Sequence, residues 1–414
     1  MRLPWFYGWT VVVAAFFALT LAYSLHFSFG LFAPHLESAL AVDRATIAAP
    51  FSVYIAVYSV MSYLTGPMTD RIGPRWVVAT GGILLAIAYA WLSRAETLWE
   101  LYLALALFAG LGMSAAFIPL SATVVKWFVR RRGVAVAIAG SGTSAAHVVG
   151  PLVVAILIPW LGWRDGMLTL GLLAGGFIML CASRLLRDPA VLGLRPDGDP
   201  VFLQQTVEQS PEEVSWTLRE ARATGAFWLI LAAFFCTWIP IFFPAAHLPA
   251  MLLDQGQTME AAASMIGVMG IGALFGRWVI GWMADRFGGR VSLCVCFGMH
   301  VVGYAMFIAV DSFYAQQGAS FALGLGVGSS VTMFPVIIGM TFGRTHVGAI
   351  SGFIFSISGT AAAVGPYAAG LLHAAYGSYI NAFAVSAILN VFALAFVAFL
   401  KRPARPSTMP VNQP

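Results

Sequence analysis

Apolar stretches of about 20 residues or more alternate with short polar segments along the whole chain. An α-helix needs about 20 apolar residues to cross a hydrocarbon layer roughly 30 Å thick. A membrane β-barrel would instead show strands of about ten residues with strict alternation, and that pattern is not evident here. The pattern predicts an all-α membrane protein with twelve transmembrane helices, over roughly residues 9–33, 46–68, 75–94, 98–125, 133–159, 164–186, 225–253, 262–284, 290–310, 314–341, 347–374 and 379–400.

The composition supports this prediction. Hydrophobic residues make up 60% of the 414 residues and charged residues 9%, whereas soluble domains carry about 25% charged residues. The four cysteines all fall within predicted spans, which favours packing as small hydrophobes over a disulfide or metal framework: they are Cys181, Cys236, Cys294 and Cys296. The first span is too long for a cleavable signal, and we expect neither a metal nor a cofactor.

The positive charge follows the predicted topology. Eighteen of the 22 Lys and Arg residues fall on one side of the twelve spans, whereas only Arg44, Arg94 and Arg164 fall in loops on the other. Because cations are retained in the cytoplasm during insertion, both termini are predicted to be cytoplasmic. The net charge of +5 is thereby explained without a nucleic-acid partner.

The longest polar segment divides the chain into two halves. It covers residues 187–224 and holds seven of the 17 acidic residues, and Thr217-Leu-Arg-Glu220 within it has the pattern of a helix capping box. We therefore predict a six-helix bundle over 1–186, a cytoplasmic linker over 187–224, a second bundle over 225–401 and a cytoplasmic tail over 402–414.

The two halves repeat the same sequence features. GPMTDRIGPR begins at Gly66 and GWMADRFGGR at Gly281, so that Asp285 lies 215 residues after Asp70. The pair Gly365-Pro366 follows Gly150-Pro151 at the same offset. Parallel repeats of this kind are typical of transporters with a central path between two bundles.

The repeated loop resembles the signature loop of the major facilitator superfamily, G-x-x-x-D-R-x-G-x-R. The resemblance implies a gate between the halves, in which glycines allow a tight turn and the acids meet a helix N-terminus or an arginine. We expect the arginines to face anionic headgroups or the acidic ends of helices, and the contacts to hold one gate conformation. The gating residues are Gly66, Asp70, Arg71, Gly73 and Arg75 in the first copy and Gly281, Asp285, Arg286 and Arg290 in the second.

A narrower resemblance is to the bacterial branch of the monocarboxylate transporter family. It is carried by Trp127-Phe-Val-Arg-Arg-Arg-Gly133, Gly193-Leu-Arg-Pro-Asp-Gly198, His247-Leu-Pro249 and Gly377-Ser-Tyr379. The resemblance implies alternating-access transport of a small organic monocarboxylate across the bacterial inner membrane, either secondary active, with or without a coupled proton, or facilitative.

Arg277 is the one cation in the middle of a predicted span, and none of the 17 acidic residues lies mid-span. A buried guanidinium without a carboxylate is costly unless a ligand anion completes it, and its planar fork suits a carboxylate. In the family that this chain resembles, the arginine of span eight binds the substrate carboxylate. The alternative is that Arg277 reaches water or bonds carbonyls and hydroxyls.

The resemblance does not extend to the groups associated with proton coupling. Many members have an acid one turn before this arginine, where this chain has Ala273, and some have a lysine in span one, where it has Phe27. Histidines could titrate instead, and the candidates are His247, His147 and His26. A histidine bonded to the backbone is the commoner arrangement.

Hydroxyl groups within the spans could line the path or join helices to each other. Candidates for substrate contacts are Tyr54, Tyr58, Ser329, Ser330 and Ser356. The expected partners are a small organic anion, a proton where transport is coupled, and membrane lipids; the sequence gives no oligomeric state. Alternatives are an exporter of amphipathic drugs or a carrier of a neutral solute, whereas no metal cluster, nucleophile–base pair or phosphate loop indicates an enzyme.

Overall fold

The computed structural model describes residues 6–198, 215–310 and 312–403, and within these ranges the chain forms helices and no β-strand. The helices of the first half are α1 (Tyr7–Leu40), α2 (Arg44–Ile72), α3 (Pro74–Leu92), α4 (Leu98–Leu101), a π-helical segment (Tyr102–Ala109), α5 (Gly110–Ser114), α6 (Phe117–Trp127) and α7 (Arg132–Ser183). Those that follow the linker are α8 (Leu218–Arg222), α9 (Gly225–Trp238), α10 (Phe243–Asp254), α11 (Met259–Phe287), α12 (Gly289–Ala309), α13 (Phe313–Phe342), α14 (Val347–Ala361), α15 (Val364–Tyr376) and α16 (Ile380–Ala398).

These elements make the twelve predicted spans. Helix α7 supplies spans five and six, because Gly162 interrupts it with a left-handed φ of 76°. Helices α4 to α6 make span four, α9 and α10 span seven, and α14 and α15 span eleven. Ten helical stretches in the described ranges have the length and apolar composition to cross a membrane, α7 being one of them, and the less apolar α2 completes the twelve.

The breaks in spans seven and eleven meet each other. Pro240 lies between α9 and α10, and because proline disturbs the helical hydrogen bonds its neighbours need other partners; the Pro240 carbonyl accepts the Tyr304 hydroxyl at 3.0 Å. At the facing break, a Cβ on Gly365 would lie only 1.8 Å from the Ile239 carbonyl oxygen. Glycine at 365 thus lets the two broken spans approach closely.

Each half is a separate packed bundle, and the halves meet along two helix pairs. In the first half α7 packs against α1 and α3, and in the second half α13 packs against α11 and α12. Between the halves, α2 packs against α14 and α7 against α11. We call the side of the bundle on which Asp70 and Asp285 lie the motif side.

The described ends of the linker are each attached to a different half. The Asp197 carboxylate accepts backbone hydrogen bonds from Val129 and Arg130 at 3.0 and 2.9 Å, between α6 and α7. At the other end, the Trp216 N–H donates to the Phe342 carbonyl at 2.9 Å. The capping box predicted at Thr217-Leu-Arg-Glu220 is confirmed, and it begins α8.

Candidate functional site

The first copy of the repeated motif closes onto the second half. The buried Lys126 ammonium donates to Asp70 Oδ1 at 2.6 Å. The same carboxylate accepts the backbone N–H groups of Gly348 at 3.3 Å and Ala349 at 2.7 Å, at the start of α14. Since a helix N-terminus carries partial positive charge, Asp70 neutralises both a cation and a helix end.

The second copy makes the equivalent contact with the first half. The Asp285 carboxylate accepts the N–H groups of Gly133 at 2.6 Å and Val134 at 3.0 Å, at the start of α7. Gly348 lies 215 residues after Gly133, the same offset that separates Asp285 from Asp70. Each motif acid therefore binds the corresponding helix start of the opposite half, as expected for a gate between repeats.

Glycines let the backbones touch at both crossings. A Cβ on Gly66 would lie 2.2 Å from the Gly348 carbonyl oxygen, and one on Gly281 would lie 2.6 Å from that of Gly133. Real Cβ atoms do not approach so closely, so any larger residue would push the helices apart. The structure is therefore closed on the motif side.

The motif arginines lie at the edge of this closed region. Gly73 has a φ of 91°, which glycine adopts readily, and it separates α2 from α3. The Arg290 guanidinium donates to the Ala398 carbonyl at the end of α16, which confirms a helix-end contact for this residue. Arg75 and Arg286 lie over Trp76 and Trp282 at 5.7 and 5.8 Å, and Arg71 is exposed. Their contacts with lipid headgroups remain a prediction.

Arg277 is buried where α11 meets α7. Its side chain is 5% exposed, and Nε donates to Ser144 Oγ of the other half at 3.0 Å. Its Nη1 is buried without a hydrogen-bond partner, and no carboxylate in the described part of the chain pairs with it. The alternative bond to a hydroxyl is thus present, but it uses only one of the three guanidinium nitrogens.

The halves separate beyond the level of Arg277. The cross-half contacts named so far lie at Arg277 or on its motif side, and Trp278 adds a bond from Nε1 to Ser141 Oγ at 2.9 Å. His147, about one turn beyond Ser144 on α7, is exposed. Gly270, two turns before Arg277 on the same face of α11, is also exposed, with no heavy atom within 4 Å of the position of a Cβ. The path therefore opens towards the side opposite the motifs.

The hydroxyl candidates fall into two groups. Tyr58 shares a hydrogen bond of 2.9 Å with Tyr23, and Tyr23 lies close enough to Arg277 to interact electrostatically. Tyr54 bonds His26 Nδ1 at 2.9 Å and lines a cavity of about 10 Å³ inside the first half, at the lower limit for one water. The three serines donate to backbone carbonyls: Ser329 to Gly276 at 3.0 Å, Ser330 to Val327 at 3.0 Å and Ser356 to Phe353 at 2.8 Å. Substrate contacts by these five residues remain predictions.

The three histidine candidates differ in which ring nitrogen is available. His147 stacks on Phe27 at 3.6 Å between ring centres, interacts electrostatically with Arg277, and has Nδ1 3.0 Å from the Thr143 carbonyl. Because a carbonyl only accepts, Nδ1 carries the hydrogen and Nε2 has the lone pair. In His247, by contrast, Nε2 bonds the Pro366 carbonyl at 2.9 Å and Nδ1 bonds Tyr379 at 3.1 Å.

Three residues near these sites were not identified from the sequence. Ser144 and Tyr23 are single hydroxyls in apolar spans, and hydroxyls of this kind are too common to stand out. Lys126 carried a signal, because it is a charged residue in the last turn of an apolar span. Its buried pairing with Asp70, 56 residues earlier, required the fold.

Comparison with known proteins identifies the family. The sequence profile described as Major Facilitator Superfamily matches residues 13–315 and 278–413. Human monocarboxylate transporter 11 is 30% identical over 403 residues, covering 92% of this chain and 80% of the relative, and monocarboxylate transporter 13 of Bos taurus is 28% identical over 389 residues, covering 92% and 86%.

Solved structures share the same fold. The proton:xylose symporter XylE bound to 6-bromo-6-deoxy-D-glucose superposes with a TM-score of 0.70 at 13% identity, over 95% of this chain and 96% of that one. These proteins are transporters and not enzymes, in agreement with the sequence-based expectation. The profile match over most of the chain, together with relatives of up to 30% identity, means that this protein belongs to the Major Facilitator Superfamily of membrane transporters.

Proposed function

We propose that this transporter moves a small organic monocarboxylate by alternating access, with Arg277 as the group that binds the carboxylate. The single observation that carries the proposal is the state of its guanidinium, which is buried, has no acidic partner among the described residues and leaves Nη1 without an acceptor. A carboxylate supplies two acceptor oxygens and one negative charge, which together complete such a group.

Charge neutralisation explains how binding is linked to movement. Closing a dry site around an unpaired guanidinium is unfavourable because its charge loses solvation. A bound carboxylate cancels this charge, so the loaded carrier closes on the open side at lower cost than the empty one. The Asp70 and Asp285 contacts then break as the motif side opens.

The names of the relatives support the substrate class. Proteins named monocarboxylate transporters 11 and 13 are 28 to 30% identical to this chain over nearly its whole length. We further propose a bacterial inner-membrane location with the motif side and both termini in the cytoplasm, because the loops on the motif side carry most of the cations.

A proton coupled to the anion would need a titratable group beside Arg277. Of the three candidates, His147 has the supporting geometry, since it interacts with Arg277, is exposed on the open side and keeps Nε2 free of the Thr143 bond. We propose His147 as the proton carrier where transport is coupled. Facilitated diffusion of the anion is the outcome if it is not.

The test is a thermal-shift screen of the purified protein against small carboxylates and their methyl esters, followed by uptake into proteoliposomes. Stabilisation by an acid but not by its ester is expected. Arg277→Gln should abolish both the shift and saturable uptake. Arg94→Gln is the matched control, because Arg94 is an exposed loop arginine paired with Asp165 at 2.9 Å and should leave both unchanged.

Other outcomes would point to other cargoes. Undiminished carboxylate binding by the Arg277→Gln protein would exclude the proposed anion site. Equal stabilisation by acid and ester would instead favour an exporter of amphipathic drugs or a carrier of a neutral solute.

A further inference from the structure

We propose that Ser144 is a positioning residue, which holds Arg277 so that the substrate carboxylate binds the two terminal nitrogens of the guanidinium. The inference rests on the proposed function and concerns a residue that does not itself meet the substrate.

The three nitrogens of Arg277 have different surroundings. Nε donates to Ser144 Oγ at 3.0 Å, and this is the one hydrogen bond that Arg277 makes within the described residues. Nη1 is buried without a partner, and Nη2 likewise has no bonded acceptor in the described chain. A carboxylate can bind an arginine in a fork either along the Nε edge or across the two terminal nitrogens. With Ser144 on Nε, the terminal edge is the one available.

A glycine on the same helix lies against this terminal edge. Gly140 is one turn before Ser144 on α7, and a Cβ there would lie 3.3 Å from Nη1 of Arg277. The absence of a side chain at 140 leaves the guanidinium room to tilt about the Ser144 bond when an anion arrives. Ser144 and Gly140 thus act on the two ends of the same planar group.

The bond also joins the two halves. Ser144 belongs to the first half and Arg277 to the second, and their contact marks the end of the α7–α11 interface nearest the open side. The orientation of the substrate-binding group therefore depends on how the halves pack. Loss of the hydroxyl should weaken substrate binding without disrupting the Asp70 and Asp285 contacts, which lie near the motif-side ends of α2 and α11.

Substitution at Ser144 tests this role. Ser144→Ala should raise the KM for uptake about tenfold, with the maximal rate changed less than about twofold, because a hydrogen bond to a charged group is lost. Ser144→Thr keeps the hydroxyl and should restore the KM to within about threefold of the native value.

A neighbouring serine supplies the matched control. Ser141 also accepts a hydrogen bond across the same interface, from Trp278 at 2.9 Å, and does not contact Arg277. Ser141→Ala should therefore leave the KM unchanged. If Ser141→Ala and Ser144→Ala raise the KM equally, Ser144 is only part of the helix contact and the proposal is wrong.

The controls separate this inference from the proposed function. A native KM in Ser144→Ala, combined with complete loss of binding in Arg277→Gln, would overturn the positioning role and leave the carboxylate site standing. Retained binding in Arg277→Gln would overturn both. Thermal midpoints of all variants without substrate, expected within a few degrees of native, show that each protein is folded.

Discussion

Single hydrogen bonds distinguish the histidines of this transporter. His247 uses both ring nitrogens inside the second half, one on a backbone carbonyl and one on a tyrosine hydroxyl. His147 uses one nitrogen on the carbonyl of its own helix turn and turns its ring towards Phe27 and the open path. A histidine with a free lone pair beside the arginine is the better proton acceptor, since protonation breaks no bond.

His147→Gln should abolish proton-driven accumulation. We expect uptake of the most strongly stabilising acid to reach only the level seen without a pH gradient, because glutamine cannot take up the proton. His247→Gln, the matched variant, should still accumulate substrate above equilibrium. Accumulation that survives in His147→Gln and is lost in His247→Gln would assign the proton to the other site.

At this scale the sequence predicted the charged residue and missed its neighbours. Arg277 stood out because a cation in mid-span is rare and costly. Ser144 is 133 residues away in sequence, and one serine among many in apolar helices gives no signal of pairing. Its identification required knowledge of which helix faces meet between the halves.

The start of α7 is an element held by two acids from different directions. Asp285 binds Gly133 and Val134 from the second half, while Asp197 of the linker accepts from Val129, Arg130 and Arg131 just before the helix, at 3.0, 2.9 and 3.4 Å. The Asp197 side chain is only 6% exposed. The linker therefore shapes the helix end on which the gate closes.

Asp197→Asn should lower the free energy of unfolding by about 1–2 kcal/mol, because one acceptor oxygen replaces a carboxylate that accepts three N–H groups. Asp197 has a left-handed φ of 61°, which asparagine also tolerates, so backbone strain does not add to the loss. Thermal unfolding in detergent measures the change. Asp188→Asn is the control, since Asp188 caps only Ala190 of its own segment and asparagine caps equally well; equal losses in both variants would contradict the special role of Asp197.

Elements were largely predictable from hydrophobic length. The twelve spans and the capping box at Thr217 follow from local pattern, and the structure reproduces them with small shifts at the ends. The π-helical turn over Tyr102–Ala109 was not predicted, because its residues also suit an ordinary α-helix. The paired breaks at Pro240 and Gly365 depend on contact between spans seven and eleven, which sequence spacing does not show.

The whole molecule is a pair of repeats whose gate contacts are related by one offset but are not chemically equal. Asp70 binds a helix start and also the buried Lys126. The position 215 residues after Lys126 is Thr341, so the second copy has no corresponding lysine. The repeat predicted the two crossings, whereas this difference appears only when the partners of each acid are known.

The asymmetry predicts unequal effects of the same substitution. Asp70→Asn leaves the Lys126 charge buried without a counter-ion and should cost about 3–5 kcal/mol, whereas Asp285→Asn loses contacts to a helix start and should cost about 0.5–2 kcal/mol. Midpoints of thermal unfolding compare the two. Adding Lys126→Met to Asp70→Asn should recover most of the loss; equal midpoints for the two single variants, with no recovery, would mean that the lysine pair is not what distinguishes the copies.

The glycine crossings at Gly66 and Gly281 have an electrical consequence. Backbone packed against backbone leaves little space for ions, so the membrane voltage falls mainly across this thin seal in the closed state. An anion leaving Arg277 for the motif side then traverses most of the field, at about 2.3 kcal/mol per 100 mV for one charge. With the motif side inside a negative cell, as proposed, a lone anion is driven outward, and only a carrier that neutralises its cargo can import it unhindered by voltage.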